Sequence, residues 1–344
     1  MLRRHFLGTS AVLAASTLAA PAVWAQSAPK LTPLKFTLDF RVTGQTAPFF
    51  LAQTQGYYRD EGLDVSIDVG AGSVTSITRV ASGVYQLGLG DISSLIEFQS
   101  QNPGTPVVQA VYQYYNRAPF VIIGRKDRGI TPDFQSLKGK RIAAAAVEST
   151  RRAWPMVANK LKLGAEHFQW VTTDFSARDN VMVRGDVDGA TYFHDSAVSL
   201  FARMKPEELS VLKYTEAGVD LYGNAVLASR KLITEQPALV AGFLRASNRA
   251  LKETLANPAA AIAAIKQREP ILDAQVELDR WRLTAQYVAA ADVTTHGLGD
   301  VRKALLEEQI AQAAQVFGLQ NRPAADSVFE RGLLPTSAER AYKA

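Results

Sequence analysis

Short apolar runs alternate with segments of helix length along the first two thirds of the chain. The first three pairs are LKFTLDF then APFFLAQTQGYYRDEG, LDVSIDV then SVTSITRVASG, and YQLGLGD then SSLIEFQSQ. Apolar runs of strand length that alternate with helical patterns are typical of βαβ units. This part of the chain therefore predicts an α/β structure in which helices cover a parallel-type sheet.

A second set of the same kind begins after FVIIGRKDRGITPDFQSLKGK. It continues as RIAAAAV then TRRAWPMVANKLKLG, FQWVTT then ARDNVMVRGD, and GATYF then SAVSLFARM. After YGNAVLAS the pattern changes to long Ala-rich helical segments. A chain of 344 residues with 47% hydrophobic residues is long enough for two cores of ordinary size. We therefore predict two α/β halves of similar plan, followed by helices.

Residues 1–25 have the features of an export signal. Arg3 and Arg4 precede an apolar stretch, and Val23 and Ala25 have the spacing of an A-x-A-like cleavage site. The arginine pair is followed one residue later by Phe-Leu and is similar to a twin-arginine signal, while the general secretory route stays open. Both routes lead to the bacterial periplasm, where we expect the protein.

Composition and charge narrow the function classes. The chain has no cysteine, which excludes disulfides, thiolate metal ligands, a cysteine nucleophile and the acceptor of an N-terminal lipid anchor. The net charge of +5 falls to +3 without Arg3 and Arg4, too small and too scattered for a nucleic-acid partner. We expect a freely diffusing monomer that uses neither a metal nor another cofactor.

Polar and aromatic residues follow the predicted strands. Asp39, Phe40 and Arg41 end the first run, and Gly72 precedes a helix that Ser73 opens. In open α/β sheets, ligands bind outside the carboxyl ends of the strands, where helix N-termini converge. An arginine at such a position needs Asp39, another acid or a bound anion as a partner. The pattern predicts a ligand site here, with a glycine turn and a serine cap without ligand as the alternative.

A family resemblance is carried by LDF, APFFLAQTQGYYRDEGLDV, GAGSVTSITRVASGVYQLGLGD, SLKGKRIA and YGNAVLASRKLI. Together these stretches resemble the periplasmic substrate-binding proteins of ABC importers. The branch is the NMT1/THI5-like one, which contains sulfonate, taurine and thiamine-pyrimidine binders. The resemblance implies a two-lobed type II binding-protein fold with mixed sheets, a small-molecule solute trapped between closing lobes, and an ABC permease in the inner membrane as partner.

The same resemblance implies that the chain crosses twice between the lobes. We expect residues 31–117 to form the first part of lobe 1 and residues 118–226 to form lobe 2. Residues 227–344 would then complete lobe 1 and add the C-terminal helices.

Carried over residue by residue, the resemblance implies a site built from both lobes, to which the strand-end argument adds Arg41. The first lobe supplies Asp39, Phe40, Arg41, Gly72, Ser73 and Asp91, and the second supplies Glu148, Ser149, Thr150, Tyr192, His194 and Asp195.

Two of these positions depart from the family pattern. Glu148 stands where relatives often have Gly-Ser-Thr-type residues, and Asp39-Phe40 stands where pyrimidine binders have Asp-Trp. Thr150 and Asp195 also lie at helix starts, where capping without ligand contact is the alternative role.

The mixture of groups predicts the kind of solute. Helix starts and Arg41 favour an acidic group, because free N–H donors and a guanidinium stabilise negative charge. Asp39, Glu148 and Asp195 favour an amine or ring N–H, and Phe40 and Tyr192 offer flat faces. We expect a small planar or heteroaromatic solute with an anionic or strongly accepting group, ahead of a simple aliphatic sulfonate.

Catalysis is the competing class. The four histidines are isolated along the chain, and neither H-E-x-x-H nor G-x-S-x-G occurs. From these absences we expect a binding protein and not an enzyme. The alternatives are an exported enzyme that uses Asp39, Asp91 and His194, or a ligand sensor for a membrane receptor.

Overall fold

The computed structural model describes residues 30–104, 107–164 and 166–343. The predicted export signal lies outside these residues and stays a prediction. The strands of the described residues form two sheets of five strands each. In chain order they are β1 (Thr32–Thr37), β2 (Leu63–Asp68), β3 (Leu87–Asp91), β4 (Val108–Gln113), β5 (Phe120–Arg125), β6 (Arg141–Ala144), β7 (Gln169–Thr172), β8 (Gly189–Phe193), β9 (Leu209–Lys213) and β10 (Asn224–Ser229).

Helices follow most strands and fill the C-terminal part of the chain. Short 3-10 turns cover Gly44–Thr46, Lys126–Arg128, Phe134–Leu137, His194–Ala197 and Pro206–Glu208. The α-helices are α1 (Ala47–Thr54), α2 (Tyr57–Asp60), α3 (Ser73–Ala81), α4 (Ile92–Gln101), α5 (Ser149–Lys160), α6 (Arg178–Arg184), α7 (Val198–Phe201), α8 (Arg230–Glu235), α9 (Pro237–Ala256), α10 (Ala259–Arg268), α11 (Ala274–Val288), α12 (Val293–His296), α13 (Lys303–Phe317), α14 (Ala325–Val328) and α15 (Ser337–Arg340).

The two sheets have the same topology. The first has the order β2-β1-β3-β10-β4 and the second the order β7-β6-β8-β5-β9. In each sheet four strands run in the same direction, and the strand that enters from the other half, β10 or β5, runs against them and pairs antiparallel with both of its neighbours. The predicted fold class, two parallel-type mixed sheets flanked by helices, is confirmed.

The chain passes between the sheets in two short segments. One joins β4 to β5 and the other joins β9 to β10. They pair with each other, since the Ala118 N–H donates to the Leu221 carbonyl at 2.7 Å and the Gly223 N–H donates to the Tyr115 carbonyl at 3.0 Å. The first sheet takes its strands from residues 32–113 and 224–229, and the domain boundaries given above stay a prediction.

Aromatic packing holds α1 and α9 against the first sheet. The Phe36 ring on β1 lies 4.9 Å from that of Phe49 and 5.1 Å from that of Phe243. Burying each such ring contributes roughly 1.5–3 kcal/mol. This packing fixes the start of α1 beside the end of β1, which places the loop between them. Among the described residues, none of the helices has the length and apolar content needed to cross a membrane.

Candidate functional site

A cleft with about 590 Å³ of atom-free space, part of it open to solvent, lies among residues that follow strands of both sheets. It is lined by Asp39, Phe40, Arg41, Gln45, Thr46, Gly72, Ser73, Leu89, Tyr115, Val147, Glu148, Ser149, Phe175, Arg178, Phe193, Ser196 and Asn224. Seven of the predicted site residues are therefore brought to one cavity: Asp39, Phe40, Arg41, Gly72, Ser73, Glu148 and Ser149.

Backbone hydrogen bonds fix the loop that carries Asp39 and Phe40. The Gly72 N–H donates to the Asp39 carbonyl at 2.7 Å, and the Gly70 N–H donates to the Phe40 carbonyl at 2.9 Å. A Cβ at position 70 would overlap the Leu38 carbonyl, and Gly72 has a φ of +103°, so both positions favour glycine. Helix α3 then begins at Ser73, as predicted, with Gly72 and not the serine as its cap.

Asp39 is paired with Asn224, the first residue of β10. Asn224 Nδ2 donates to Asp39 Oδ2 at 2.5 Å, and Asn224 Oδ1 is buried without a hydrogen-bond partner among the described residues. Burial raises the pKa of Asp39 to about 7, although the hydrogen bond from Asn224 opposes this shift. Near neutral pH Asp39 can therefore act either as acceptor or, when protonated, as donor.

Arg41 pairs with neither Asp39 nor another acid of the described residues, and a bound anion stays the remaining predicted partner. Its side chain is exposed, and its guanidinium lies 5.1 Å from the centre of the Phe40 ring. Within the described ranges it forms no ion pair with an acid, so Asp39 is not its counter-charge. Its positive charge remains available at the mouth of the cleft.

Glu148 and Arg178 form a buried ion pair on the opposite wall. Arg178 Nη1 donates to Glu148 Oε1 at 2.7 Å, and Thr191 Oγ1 donates to Glu148 Oε2 at 2.8 Å. Burial raises the pKa of Glu148, while Arg178 and Thr191 oppose the shift. The Arg178 guanidinium also lies 3.9 Å from the centre of the Tyr192 ring. Glu148 thus orients an arginine and does not cap α5, which begins at the next residue.

Aromatic rings form much of the cleft wall. Phe40 from the first half and Phe175 from the second meet edge to face, with ring centres 5.2 Å apart. Phe193 and Tyr115 also line the cleft, and their rings meet edge to face at 6.0 Å. Flat apolar walls of this kind suit a planar solute.

Three predicted residues support the wall without lining it. Asp91 caps α4, because its Oδ1 accepts from the Ser94 N–H at 3.0 Å, and burial raises its pKa to about 6. Thr150 Oγ1 donates to the Tyr192 carbonyl at 3.3 Å, and the Tyr192 hydroxyl donates to Asp179 at 2.8 Å. Tyr192 presents its ring to Arg178 and so acts on the cleft through that residue.

His194 and Asp195 also lie behind the cleft. His194 Nδ1 is 2.8 Å from the Tyr287 hydroxyl, and burial lowers the pKa of His194 to about 4. Asp195 is fully buried and accepts hydrogen bonds from Gln45, Tyr115 and Thr284. The alternative role of Asp195 as a helix cap is wrong, because its carboxylate serves these three distant donors.

Sequence reasoning missed three residues of the cleft that carry its chemistry: Phe175, Arg178 and Asn224. Asn224 had a weak signal, since a polar residue interrupts the apolar run YGNAVLAS. The others stand in segments with no motif.

Two α/β halves with a cleft between the ends of their strands define the periplasmic-binding-protein class of fold. The NMT1/THI5 like family model matches residues 43–261, and the chain belongs to this family. The alkanesulfonate-binding protein SsuA from Xanthomonas axonopodis pv. citri, bound to MOPS, has the same fold. It superposes with a TM-score of 0.67 at 16% identity, over 87% of this chain and 98% of SsuA.

Two curated relatives match over most of the chain. One is the 4-amino-5-hydroxymethyl-2-methylpyrimidine phosphate synthase of Aspergillus parasiticus, 26% identical over 256 residues, which are 71% of this chain and 72% of the synthase. The other is the riboflavin-binding protein RibY of Chloroflexus aurantiacus, 26% identical over 248 residues, which are 71% of this chain and 68% of RibY.

The synthase corrects one expectation, that the chain is not an enzyme. A relative named as an enzyme matches nearly three quarters of the chain. The missing H-E-x-x-H and G-x-S-x-G motifs excluded only the chemistries that need them. A buried acid with a shifted pKa, such as Asp39, is compatible with acid–base chemistry that no such motif announces.

Proposed function

We propose that the protein binds a small planar heteroaromatic solute in the cleft and delivers it, in the bacterial periplasm, to the permease of an ABC importer. The observation that carries this proposal is the pair of rings, Phe40 and Phe175, that meet across the cleft from the two halves of the molecule. The two rings touch each other, so a flat solute in the cleft would pack beside them and gain aromatic contact with both halves as these close.

The charges at the cleft limit the charge of the solute. Two acids and two arginines line it, and Glu148 already neutralises Arg178. Asp39, with a pKa of about 7, and the free Arg41 remain. Together they suit a solute that is neutral or carries one negative charge, since a buried charge needs a compensating partner.

The family supports the same class of solute. One relative is named for binding riboflavin and another for making a pyrimidine phosphate, and both compounds contain a flat nitrogen heterocycle. The SsuA structure contains MOPS, so a sulfonate can occupy the same fold. The aromatic walls favour the heterocycle over an aliphatic sulfonate for this chain.

The first test is chemical identification of the solute. The protein is purified from the periplasm of its own host and denatured, and the released small molecules are identified by mass spectrometry. A planar heteroaromatic compound is expected. An aliphatic sulfonate would contradict the proposal. Because one relative is a synthase, the recovered solute is also incubated with fresh protein and examined for conversion.

The second test is a titration of the recovered solute by calorimetry. Phe175→Ala removes one wall and should weaken binding about tenfold or more, the effect expected for an aromatic contact at a site centre. Phe317→Ala is the matched control. Phe317 ends α13 and lies outside the cleft, and an arginine, Arg152, lies over its ring as Arg178 lies over that of Phe175. Equal binding by both variants would contradict the assignment of the cleft.

A further inference from the structure

Arg178 is a buried arginine on the wall of the cleft that no motif singled out. It begins α6 and is 4% exposed. Its guanidinium lies 3.9 Å from the centre of the Tyr192 ring and 5.4 Å from that of Phe175, and its Nη1 pairs with Glu148. Two rings and a carboxylate therefore fix the guanidinium in the protein alone, which is the preorganisation that a recognition group needs.

The remaining donors of Arg178 are unused. Arginine has five N–H donors, and only Nη1 is paired here. Nε is buried without an acceptor, and Nη2 donates to none of the residues that the structure describes. A buried donor without an acceptor is costly to folding, so stability alone does not explain this arrangement. Because Arg178 lines the cleft, a bound solute can supply an acceptor to Nη2.

The charge of Arg178 is already compensated. The side chains of Glu148 and Arg178 are 3% and 5% exposed, and their nitrogen and oxygen are 2.7 Å apart. A carboxylate so close cancels most of the attraction that the guanidinium would exert on a full anion. Its N–H groups remain directional donors and are suited to a neutral acceptor. A ring carbonyl oxygen is such an acceptor and lies in the plane of a flat solute.

We infer that Arg178 is a specificity-determining residue of the cleft and that it selects planar rings bearing a carbonyl oxygen. The inference rests on the proposed solute-binding function. It assigns recognition of the solute's acceptor group to Arg178, on the second half of the molecule, whereas the sequence pointed to Arg41 on the first half.

The test uses two probes that share the 4-aminopyrimidine ring. Cytosine has a carbonyl at position 2 and an N–H at position 1, whereas 4-amino-2-methylpyrimidine has a methyl group at position 2 and a ring nitrogen without hydrogen at position 1. Their affinities are measured by ligand-observed NMR titration against the wild-type protein, Arg178→Lys and Arg151→Lys. Arg151 is the matched control, because its guanidinium lies 5.0 Å from the centre of the Trp170 ring and it lies outside the cleft.

The wild-type protein and Arg151→Lys should bind cytosine roughly tenfold or more tightly than the methyl compound. Arg178→Lys should reduce that ratio to about twofold or less, because a lysine keeps the charge beside Glu148 but lacks the fork of donors. An unchanged ratio in Arg178→Lys would overturn the inference.

Folding is checked by thermal unfolding followed by circular dichroism. If Arg178→Lys does not fold, the double variant Glu148→Gln with Arg178→Met replaces it, since it leaves no buried unpaired charge. Failure of the wild-type protein to prefer cytosine would also overturn the inference. That result would not decide the proposed function, which is tested separately by the solute released from the native protein.

Discussion

At the scale of single residues, Asp39 shows how its position just after a strand changes the pKa of a carboxyl group. The chain leaves β1 at Thr37, and the backbone bonds from the glycine turn hold Asp39 against Asn224. Part of Asp39 faces the cleft, and the protein atoms around it remove most of its water. The unfavourable desolvation of the carboxylate raises the pKa of Asp39 to about 7, from an ordinary value of 3.8.

This shift predicts how Asp39 affects stability as pH changes. Because the pKa is higher in the folded than in the unfolded protein, the folded state resists ionisation, and stability is lost as pH rises from about 4 to about 7. Asp39→Asn removes this loss. The free energy of unfolding of Asp39→Asn minus that of wild type should therefore be larger at pH 8 than at pH 4, by on the order of 1–3 kcal/mol. This figure allows for screening by solvent in the cleft.

Urea unfolding between pH 4 and pH 8 measures this difference. Asp64→Asn serves as the control, because Asp64 lies on the exposed side of β2. A constant difference between Asp39→Asn and wild type across the range would show that the Asp39 carboxyl is not perturbed.

Single residues also show what the sequence could predict of the site. The Asp39 loop and the glycine turn were predicted because strand ends and helix starts leave local patterns, whereas Glu148 and Ser149 at the start of α5 were implied by the family resemblance. Arg178 and Phe175 were missed, since nothing in their neighbourhood says which wall they reach. The family resemblance implied Asp195 as a ligand residue, but it lies behind the cleft: its donors come from positions 45, 115 and 284, and no local spacing reveals such a convergence.

At the scale of elements, the alternation of apolar runs with helical segments predicted most of the strands, but it missed β4, a buried strand that contains two glutamines, and β9. It could not predict sheet order. In both sheets the strand that enters from the other half takes a position between two strands of the host sheet. In the first sheet that insertion depends on pairing between residues more than 100 positions apart, such as Val226 with Leu89.

Helix α4 provides a test of which acids belong to structure and which to the site. Asp91 ends β3 and caps this helix through Ser94. Asp91→Ala should lower the free energy of unfolding by about 1 kcal/mol, the usual effect of losing a helix cap, whereas Asp91→Asn should retain most of it because asparagine also caps well.

Neither variant should change the affinity for the solute recovered from the native protein by more than about twofold, as Asp91 does not line the cleft. Chemical unfolding and calorimetric titration of the two variants check both statements. Tenfold weaker binding by Asp91→Asn, with its stability unchanged, would show that Asp91 belongs to the ligand site after all.

At the scale of the whole molecule, buried hydrogen bonds join the two halves behind the cleft. Asp195 lies between β8 and α7, while its donors Gln45 and Thr284 belong to the 3-10 turn before α1 and to α11. Arg280 of α11 adds a hydrogen bond from Nη1 to the Asp195 carbonyl at 2.8 Å. The Tyr115 hydroxyl, from the segment that joins β4 to β5, completes the set. We call these five residues the Asp195 network.

The Asp195 network predicts how closure of the cleft is controlled. Gln45 and Tyr115 also line the cleft, so a solute between the halves and the buried Asp195 carboxylate act on the same side chains.

Asp195→Asn replaces an acceptor of three donors by a group that must itself donate, which leaves buried groups unpaired at about 1–3 kcal/mol each. The solute-free variant should therefore open more readily and have a larger radius of gyration than wild type by small-angle X-ray scattering, and the solute recovered from the native protein should reduce it. Asp127→Asn is the control, because Asp127 pairs with Arg125 within one half only. Scattering curves of solute-free Asp195→Asn that coincide with those of wild type would show that the network stabilises the fold without holding the two halves together.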